Sequence, residues 1–203
     1  MGYIISIVIG YLLGCSNMAF YLARLRGVDF RKAGSGNLGA SNATVLLGWR
    51  AGILVGVHDF FKATIAVLLA KLLFPELEHV GAVAGVAAVW GHIFPFFLKF
   101  KGGKGFASYL GMAFALHWKF TILIMLAVVL ITLISDYIVI GTMTTVFSVP
   151  AYLGITQRNW IIAVILLVGT AVIVFKHWEN FGRILNGTEI GLRSTIKGKN
   201  RVK

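Results

Sequence analysis

Long apolar runs alternate with short polar breaks along almost the whole chain, and this pattern predicts membrane-spanning helices. A helix needs about 20 predominantly apolar residues to cross a bilayer. Seven segments have this character, although the fourth is short for a complete crossing. They cover residues 1–23, 51–74, 80–98, 105–116, 120–134, 137–155 and 160–175. We therefore predict an all-α integral membrane protein that forms one domain, 1–203, with seven transmembrane helices.

Basic residues are divided unevenly between the two sides of a seven-helix topology. One side carries only Lys71, Lys119 and Arg158. The other side carries the remaining cations of the loops and of the C-terminal tail, among them Arg24, Arg26, Arg31, Lys32, Arg50, Lys99, Lys101, Lys104 and Arg183. Because cytoplasmic loops are enriched in Lys and Arg, we expect the N-terminus outside and the C-terminus in the cytoplasm. Six helices would export the basic tail, so the charge pattern favours seven.

The composition narrows the class of protein and of partner. Hydrophobic residues make up 58% and charged residues 13% of the 203 residues, which leaves room for one helical bundle and no separate soluble domain. The net charge of +12 suits anionic lipid headgroups and anionic substrates rather than nucleic acid, because no soluble basic domain is available to hold a duplex. The one cysteine, Cys15, excludes an internal disulfide, and no cluster of His, Asp or Glu has metal-site spacing. We expect neither a metal nor a cofactor.

A glycine-rich polar segment at 34–42 is the first candidate binding element. Its glycines permit positive φ and a close approach of the backbone to a ligand. Its hydroxyl and amide side chains offer hydrogen bonds beside backbone N–H groups, a combination that holds phosphate. The residues predicted to bind phosphate or to act on it here are Gly34, Ser35, Gly36, Asn37, Gly39 and Asn42. The alternative is an ordinary polar turn between helices, which does not require so many amides and hydroxyls.

A second glycine-rich element, 101–105, precedes an apolar run that we expect to be helical. The N-terminus of a helix attracts anions, and Lys104 adds a cation between two glycines. The residues predicted to contact phosphate here are Gly102, Gly103, Lys104 and Gly105. The Walker A pattern is absent, so ATP hydrolysis gains no support. Alternatively, the lysines of this segment only anchor the chain at the membrane surface.

The last apolar run leads into a third polar element that contains His177, Asn180 and Arg183. On a continued helix, a spacing of three residues brings these side chains to one face. Histidine exchanges a proton near neutral pH, and Asn and Arg bind phosphate oxygens. The alternative is an interfacial His177–Trp178 pair that ends the helix while Arg183 contacts lipid headgroups. Sequence chemistry alone leaves both interpretations open.

Charged residues also occur inside the second apolar run. Asp59 and Lys62 are three residues apart, and we expect them to pair. Intramembrane charges often mark function, but a self-contained pair is interpreted here as structural support near the binding site. His92, just before Pro95, is expected to form hydrogen bonds at a helix end.

The ordered motifs resemble the PlsY family, the bacterial glycerol-3-phosphate acyltransferases that depend on acyl-phosphate. Across nearly the whole chain the shared motifs are Gly-Ser-Gly-Asn-x-Gly-Ala-x-Asn at 34–42, Asp59-x-x-Lys62, Gly91-His92-x-x-Pro95, Phe100-Lys101-Gly102-Gly103-Lys104-Gly105-x-Ala107 and His177-x-x-Asn180-x-x-Arg183. Two positions depart from the family pattern. Ser41 replaces a common threonine, and Val45 stands where many members have arginine, a loss for which Arg50 is a candidate substitute.

The resemblance implies transfer of an acyl group from acyl-phosphate to the sn-1 hydroxyl of glycerol-3-phosphate, at the cytoplasmic face of the bacterial inner membrane. It implies catalytic roles for Ser35, Lys104, His177 and Asn180, phosphate binding by Arg183, and no metal. Either His177 or a substrate phosphate accepts the hydroxyl proton. The expected partners are the two substrates and membrane lipid. The alternative function is a non-enzymatic carrier or channel for phosphate-bearing solutes, which predicts polar residues at several depths of the membrane.

Overall fold

The computed structural model describes residues 1–197, whose regular structure is helical. The α-helices are α1 (Gly2–Cys15), α2 (Met18–Arg26), α3 (Ala40–Leu47), α4 (Trp49–Leu73), α5 (Val80–Ile93), α6 (Phe106–Ser135), α7 (Ile138–Thr156), α8 (Trp160–Lys176), α9 (Trp178–Leu185) and α10 (Leu192–Ile196). A 3₁₀ turn, Phe96–Leu98, lies between α5 and α6. The predicted all-α class is confirmed.

Several helices are long and apolar enough to cross a membrane. Within the described residues, five pass this test, and a sixth is added if α8 and α9, which meet at a bend of 44°, count as one broken span. The five are Gly2–Arg26, Trp49–Leu73, Val80–Leu98, Phe106–Ser135 and Ile138–Thr156. The chain is therefore a multi-pass membrane protein.

The first predicted segment, 1–23, contains two helices rather than one. Helix α1 ends at Cys15, and the side chain of Asn17 then caps α2 by accepting the N–H of Phe20 at 2.8 Å. An asparagine in this position favours the start of a new helix. The break has a consequence for packing, because it leaves the Ser16 carbonyl to accept a hydrogen bond from Lys62 at 2.6 Å.

Helix α6 contains the fourth and fifth predicted segments and is broken at His117, whose φ of −156° and ψ of 81° are not helical. A straight helix of its 30 residues would be about 45 Å long. Yet Phe106 at its start and Ile138 just beyond its end line the same cavity. Helix α6 therefore folds back at His117, two residues before the predicted polar break at Lys119.

Local contacts account for the position of this break. The second arm of α6 begins where the ring of His117 accepts the N–H of Phe120 at 3.2 Å. The hydroxyl of Thr121 donates to the His117 carbonyl at 3.0 Å. On α7, the ring of Tyr152 stacks on Phe120 with the centroids 3.7 Å apart. The turn is thus capped on one side and packed on the other.

Glycines allow α1 and α5 to pack closely. A Cβ on Gly10 or Gly14 would collide with the backbone of α5 at Ala84 or Ala88, and a Cβ on Gly91 would collide with the Tyr11 carbonyl. Small residues spaced four apart are typical of close helix packing in membranes. This packing fixes the C-terminal end of α5, to which the loop at 101–105 is hydrogen-bonded.

The two ends of the bundle differ in chemistry. At one end, the hydroxyl of Tyr3 donates to the Glu78 carbonyl at 2.5 Å, and the amide of Asn159 donates to the Glu78 carboxylate at 3.1 Å. At the opposite end, the three polar elements predicted to bind phosphate come together around one cavity. The fold therefore separates a small polar cluster from a larger candidate site.

Candidate functional site

Segments far apart in sequence line a cavity of about 340 Å³. They come from segment 34–42, the loop at 101–105, helices α3 and α4, the junction of α6 and α7, and the chain after α8. The polar part of the lining includes Ser35, Asn37, Ser41, Lys104, Asp136, His177, Asn180 and Glu189. The structure thus brings together the four residues predicted to be catalytic.

Segment 34–42, whose last three residues form the start of α3, is shaped by one buried amide. The Oδ1 atom of Asn42 accepts the N–H of Ser35 at 2.9 Å, and its Nδ2 atom donates to the carbonyls of Phe30 and Asn37, both at 3.0 Å. Gly34 adopts a φ of +60°, which glycine reaches without strain. With its own amide occupied by the loop, Asn42 turns the side chains of Ser35 and Asn37 toward the cavity.

Two backbone hydrogen bonds attach the loop at 101–105 to the C-terminal end of α5. Gly102 donates to the carbonyl of Ile93 at 3.0 Å, and Gly103 donates to that of His92 at 3.1 Å. A Cβ on Gly103 would collide with the ring of His92. The loop therefore packs tightly against α5, and this packing places Lys104, the residue after Gly103, in the cavity lining.

A chain of polar contacts connects Lys104 to the segment beyond α8. The ammonium of Lys104 donates to Oδ1 of Asn180. The Nδ2 atom of Asn180 donates to Oε1 of Glu189 at 2.5 Å, and Nε of Arg183 donates to Oε2 of Glu189 at 2.6 Å. Lys104, Asn180 and Arg183 are thus organised by a carboxylate that the sequence analysis did not select.

His177 presents one defined nitrogen to the site. Its Nδ1 lies 2.8 Å from the carbonyl of Ile173, and a carbonyl only accepts, so Nδ1 carries the proton and the lone pair lies on Nε2. Burial lowers the pKa of His177 to about 4, and the positive charge of Lys104 acts in the same direction. The imidazole is therefore neutral at pH 7 and able to accept a proton.

Lys104 is a cation whose charge depends on pH near the physiological range. Burial lowers its pKa to about 8, and the nearby guanidinium of Arg183 adds to this effect, while Glu189 opposes it. At pH 7 the ammonium is protonated, and a phosphate in the cavity would stabilise it further. Lys104 is therefore suited to hold an anion.

A second cavity, of about 460 Å³, adjoins the first. The two share lining residues, including Asn37, Lys104 and His177. The apolar part of the second lining includes Val57, Phe60, Phe61, Phe106, Leu110 and Met125. The first cavity has more polar side chains in its lining and is called the polar cavity here, and the second is called the apolar cavity. The two cavities meet at Lys104 and His177.

Some predicted binding residues shape the site without lining it. Of the described residues, those that support the loops from outside either cavity are Gly34, Gly36, Asn42, Gly102 and Gly103. The buried amide of Asn42 is engaged in the hydrogen bonds that shape this segment, and its direct contact with phosphate stays a prediction. Gly39 and Gly105 line the apolar cavity. Arg183 lies behind the polar cavity and pairs with Glu189.

The candidate substitute for the missing arginine does not reach the site. Arg50 is exposed and lies outside both cavity linings, whereas Val45 and Trp49 form part of the wall of the polar cavity. Within residues 1–197, no group of His, Cys, Asp and Glu is arranged to hold a metal ion. Glu189 and Asp136 were not predicted from the sequence, although Gly187 and Gly191 flank Glu189 and offered a weak signal of the kind seen at 34–42.

Comparisons with known proteins agree with the family resemblance of the sequence motifs. A family model described as Glycerol-3-phosphate acyltransferase matches residues 4–187. Curated relatives include the glycerol-3-phosphate acyltransferase of Geotalea daltonii, 37% identical over 188 residues (92% of this chain and 95% of that protein), and that of Aquifex aeolicus, 36% identical over 183 residues (90% and 95%).

Solved structures are similar over the same length. The crystal structure of PlsY (YgiH), an integral membrane glycerol 3-phosphate acyltransferase, in its glycerol 3-phosphate form has a TM-score of 0.89 and 34% identity, and the match covers 96% of this chain and 97% of that one. The lysophosphatidic acid form of that protein has a TM-score of 0.85 and 34% identity, with coverage of 94% and 95%.

The pKa of Lys104 leads to a prediction about anion binding. Above pH 8 the lysine loses its proton, so we expect the affinity for inorganic phosphate to fall by about tenfold at pH 9 relative to the fully protonated site. Lys104→Arg stays charged, and its affinity should fall much less. Calorimetric titrations at pH 7, 8 and 9 give the ratio of the two Kd values, in which the ionisation of phosphate itself cancels. A ratio that stays constant over this range would show that Lys104 does not hold the anion.

Proposed function

The chain belongs to the glycerol-3-phosphate acyltransferase family, and from this we propose that it transfers an acyl group from acyl-phosphate to the sn-1 hydroxyl of glycerol-3-phosphate. The products are lysophosphatidic acid and inorganic phosphate, as in the first acylation step of phospholipid synthesis. The related PlsY structures include a glycerol 3-phosphate form and a lysophosphatidic acid form, which supports this acceptor and this product. Family membership favours an enzyme over the carrier or channel that the sequence left as an alternative.

The observation that carries the proposal is the junction between the two cavities. An acyl-phosphate has an anionic head and an apolar chain, so its binding site needs a cationic compartment joined to an apolar one. Here Lys104 and His177 line both compartments, and Phe60 and Leu110 line only the apolar one. We therefore assign the phosphate groups to the polar cavity and the acyl chain to the apolar cavity.

The proposed reaction needs no covalent intermediate on the protein. The sn-1 hydroxyl oxygen attacks the acyl carbonyl carbon, the bond from this carbon to the phosphate oxygen breaks, and phosphate leaves with the bonding electrons. The N-termini of α3 and α6 begin beside the cavities, at Ala40 and Phe106. Helix N-termini stabilise negative charge, so these ends support both the phosphates and the charge that develops on the carbonyl oxygen.

His177 is our candidate acceptor for the hydroxyl proton. Its neutral ring carries the lone pair on Nε2 and lines the cavity at the junction, so this nitrogen is free to receive a proton within the site. Asn180 and Ser35 offer hydrogen bonds that orient the substrates. The other acceptor is an oxygen of a substrate phosphate, in which case His177 serves as a phosphate ligand.

We also propose that seven helices cross the inner membrane as one domain, with the N-terminus outside and the site at the cytoplasmic face. The fold-back of α6 at His117 supports two crossings where length alone indicates one. The distribution of Lys and Arg supports the orientation.

Cysteine labelling tests this orientation, since the native Cys15 is buried. In intact spheroplasts, a membrane-impermeant maleimide should label Glu76→Cys but not Lys197→Cys. Lysis should then expose the second site. Labelling of Lys197→Cys before lysis would contradict the proposed topology.

Substitution of the junction residues tests the proposed reaction. In a phosphate-release assay with purified protein, acyl-phosphate and glycerol-3-phosphate, we expect Lys104→Ala and His177→Ala each to lower kcat/KM by about 100-fold or more. The matched control is Lys101→Ala, which removes an exposed lysine of the same loop and should retain activity. Thermal melting in detergent checks that each variant folds.

The outcomes separate the proposed roles. Activity near the wild-type level in folded Lys104→Ala would refute its role in binding phosphate. A loss of less than about tenfold in folded His177→Ala would exclude it as the general base and favour the substrate phosphate.

A further inference from the structure

Glu189 approaches the site from the segment between α9 and α10, and we propose that it is a positioning residue that fixes the amide of Asn180 and the guanidinium of Arg183. The inference rests on the proposed function. The measurements that test it, phosphate affinity and thermal stability, do not depend on that function. Side-chain exposure is 12% for Glu189 and 33% for Arg183. The carboxylate is therefore held inside the protein and is not a solvated surface charge.

Hydrogen-bond chemistry determines the direction of every contact in this network. A carboxylate only accepts and an ammonium only donates. Asn180 lies between the two, so its Nδ2 must face Glu189 and its Oδ1 must face Lys104, as the structure has them. A flipped amide would direct N–H groups at the ammonium and an oxygen at the carboxylate. Glu189 thus removes the ambiguity that an asparagine amide otherwise has.

The segment that carries Glu189 is tied down on both sides. The N–H groups of Thr188 and Glu189 donate to the carbonyl of Arg183 at 2.8 and 3.1 Å. The N–H groups of Leu192 and Arg193 donate to the carbonyl and to the side chain of Asp136, at 2.8 and 2.7 Å. Because the segment is anchored to α9 and to the end of α6, the carboxylate is a fixed reference for Asn180.

This arrangement separates Glu189 from a carboxylate that merely fills the site until phosphate arrives. A placeholder must leave when the anion binds, which requires a segment free to move. The anchors at Asp136 and Arg183 oppose such movement. A placeholder also predicts that neutralising Glu189 strengthens phosphate binding, whereas a positioning residue predicts weaker binding.

The proposal is tested by reversing the direction of the hydrogen bond between Asn180 and Glu189. Asn180→Asp alone sets two carboxylates against each other. Glu189→Gln alone supplies one acceptor oxygen for two donors, the Asn180 amide and the Arg183 guanidinium. The double variant Asn180→Asp/Glu189→Gln satisfies the network again, because the new glutamine amide donates to the new aspartate and its oxygen accepts from Arg183. The double variant also keeps the net charge of the wild type.

The first measurement is the affinity for inorganic phosphate at pH 7, which does not depend on the reaction that the protein catalyses. We expect each single variant to bind at least about tenfold more weakly than the wild type and the double variant to recover most of this loss, as coupled residues do. The control is Asn180→Asp/Glu179→Gln, because Glu179 also lies 3.7 Å from Arg183 but is 86% exposed. This control has the same net charge and should not recover.

The second measurement is the melting temperature, which can be compared even for variants that no longer bind phosphate. The melting temperatures in detergent should show the same pattern, with the double variant above both single variants. Equal recovery in the Glu179 control would reduce the effect to net charge and overturn the proposal. Additive losses in the Asn180→Asp/Glu189→Gln variant, or tighter phosphate binding in Glu189→Gln than in the wild type, would also overturn it. Failure of the proposed function would appear separately, as wild-type protein that binds phosphate without releasing it from acyl-phosphate.

Discussion

Charge that is buried within the membrane must find its partners inside the protein, and the rest of the structure depends on how one such charge is satisfied. Lys62 contacts Oδ1 of Asp59 at 2.9 Å, the carbonyl of Ser16 at 2.6 Å and Nδ1 of His92 at 2.8 Å. These partners belong to α4, to the break after α1 and to α5. One ammonium therefore joins α4 to α5 and to the junction of α1 and α2, and the predicted Asp59–Lys62 pair is confirmed as part of a larger cluster.

This cluster continues into the site. The carbonyl of His92 holds the backbone of Gly103, and its ring occupies the space that a side chain at Gly103 would need. Lys104 follows Gly103 in the chain. Its ammonium donates a hydrogen bond to Asn180, whose amide donates to Glu189. The position of the Lys104 ammonium thus follows from contacts that begin in the membrane interior. A rigid framework of this kind allows loops from distant parts of the chain to form one anion site.

Local patterns predicted what depends on local chemistry. Apolar run length located most of the membrane helices. Glycines on both sides of Lys104 indicated that residue, and the spacing of three residues between His177, Asn180 and Arg183 indicated His177. Which way a side chain faces depends on packing, so the sequence could not show that the amide of Asn42 is used within its own segment. Glu189 was missed for the same reason. It lies in a charged tail without periodicity, and only the fold brings it to Asn180.

The central claim is that these loops form a single phosphate site at the junction of a polar and an apolar cavity. A structure determined with glycerol-3-phosphate bound tests it most directly. The account predicts that the phosphate lies in the polar cavity, within hydrogen-bond distance of Lys104 and of Ser35, with the sn-1 hydroxyl turned toward His177. A phosphate bound at the opposite end of the bundle, or one that contacts neither Lys104 nor Ser35, would contradict it.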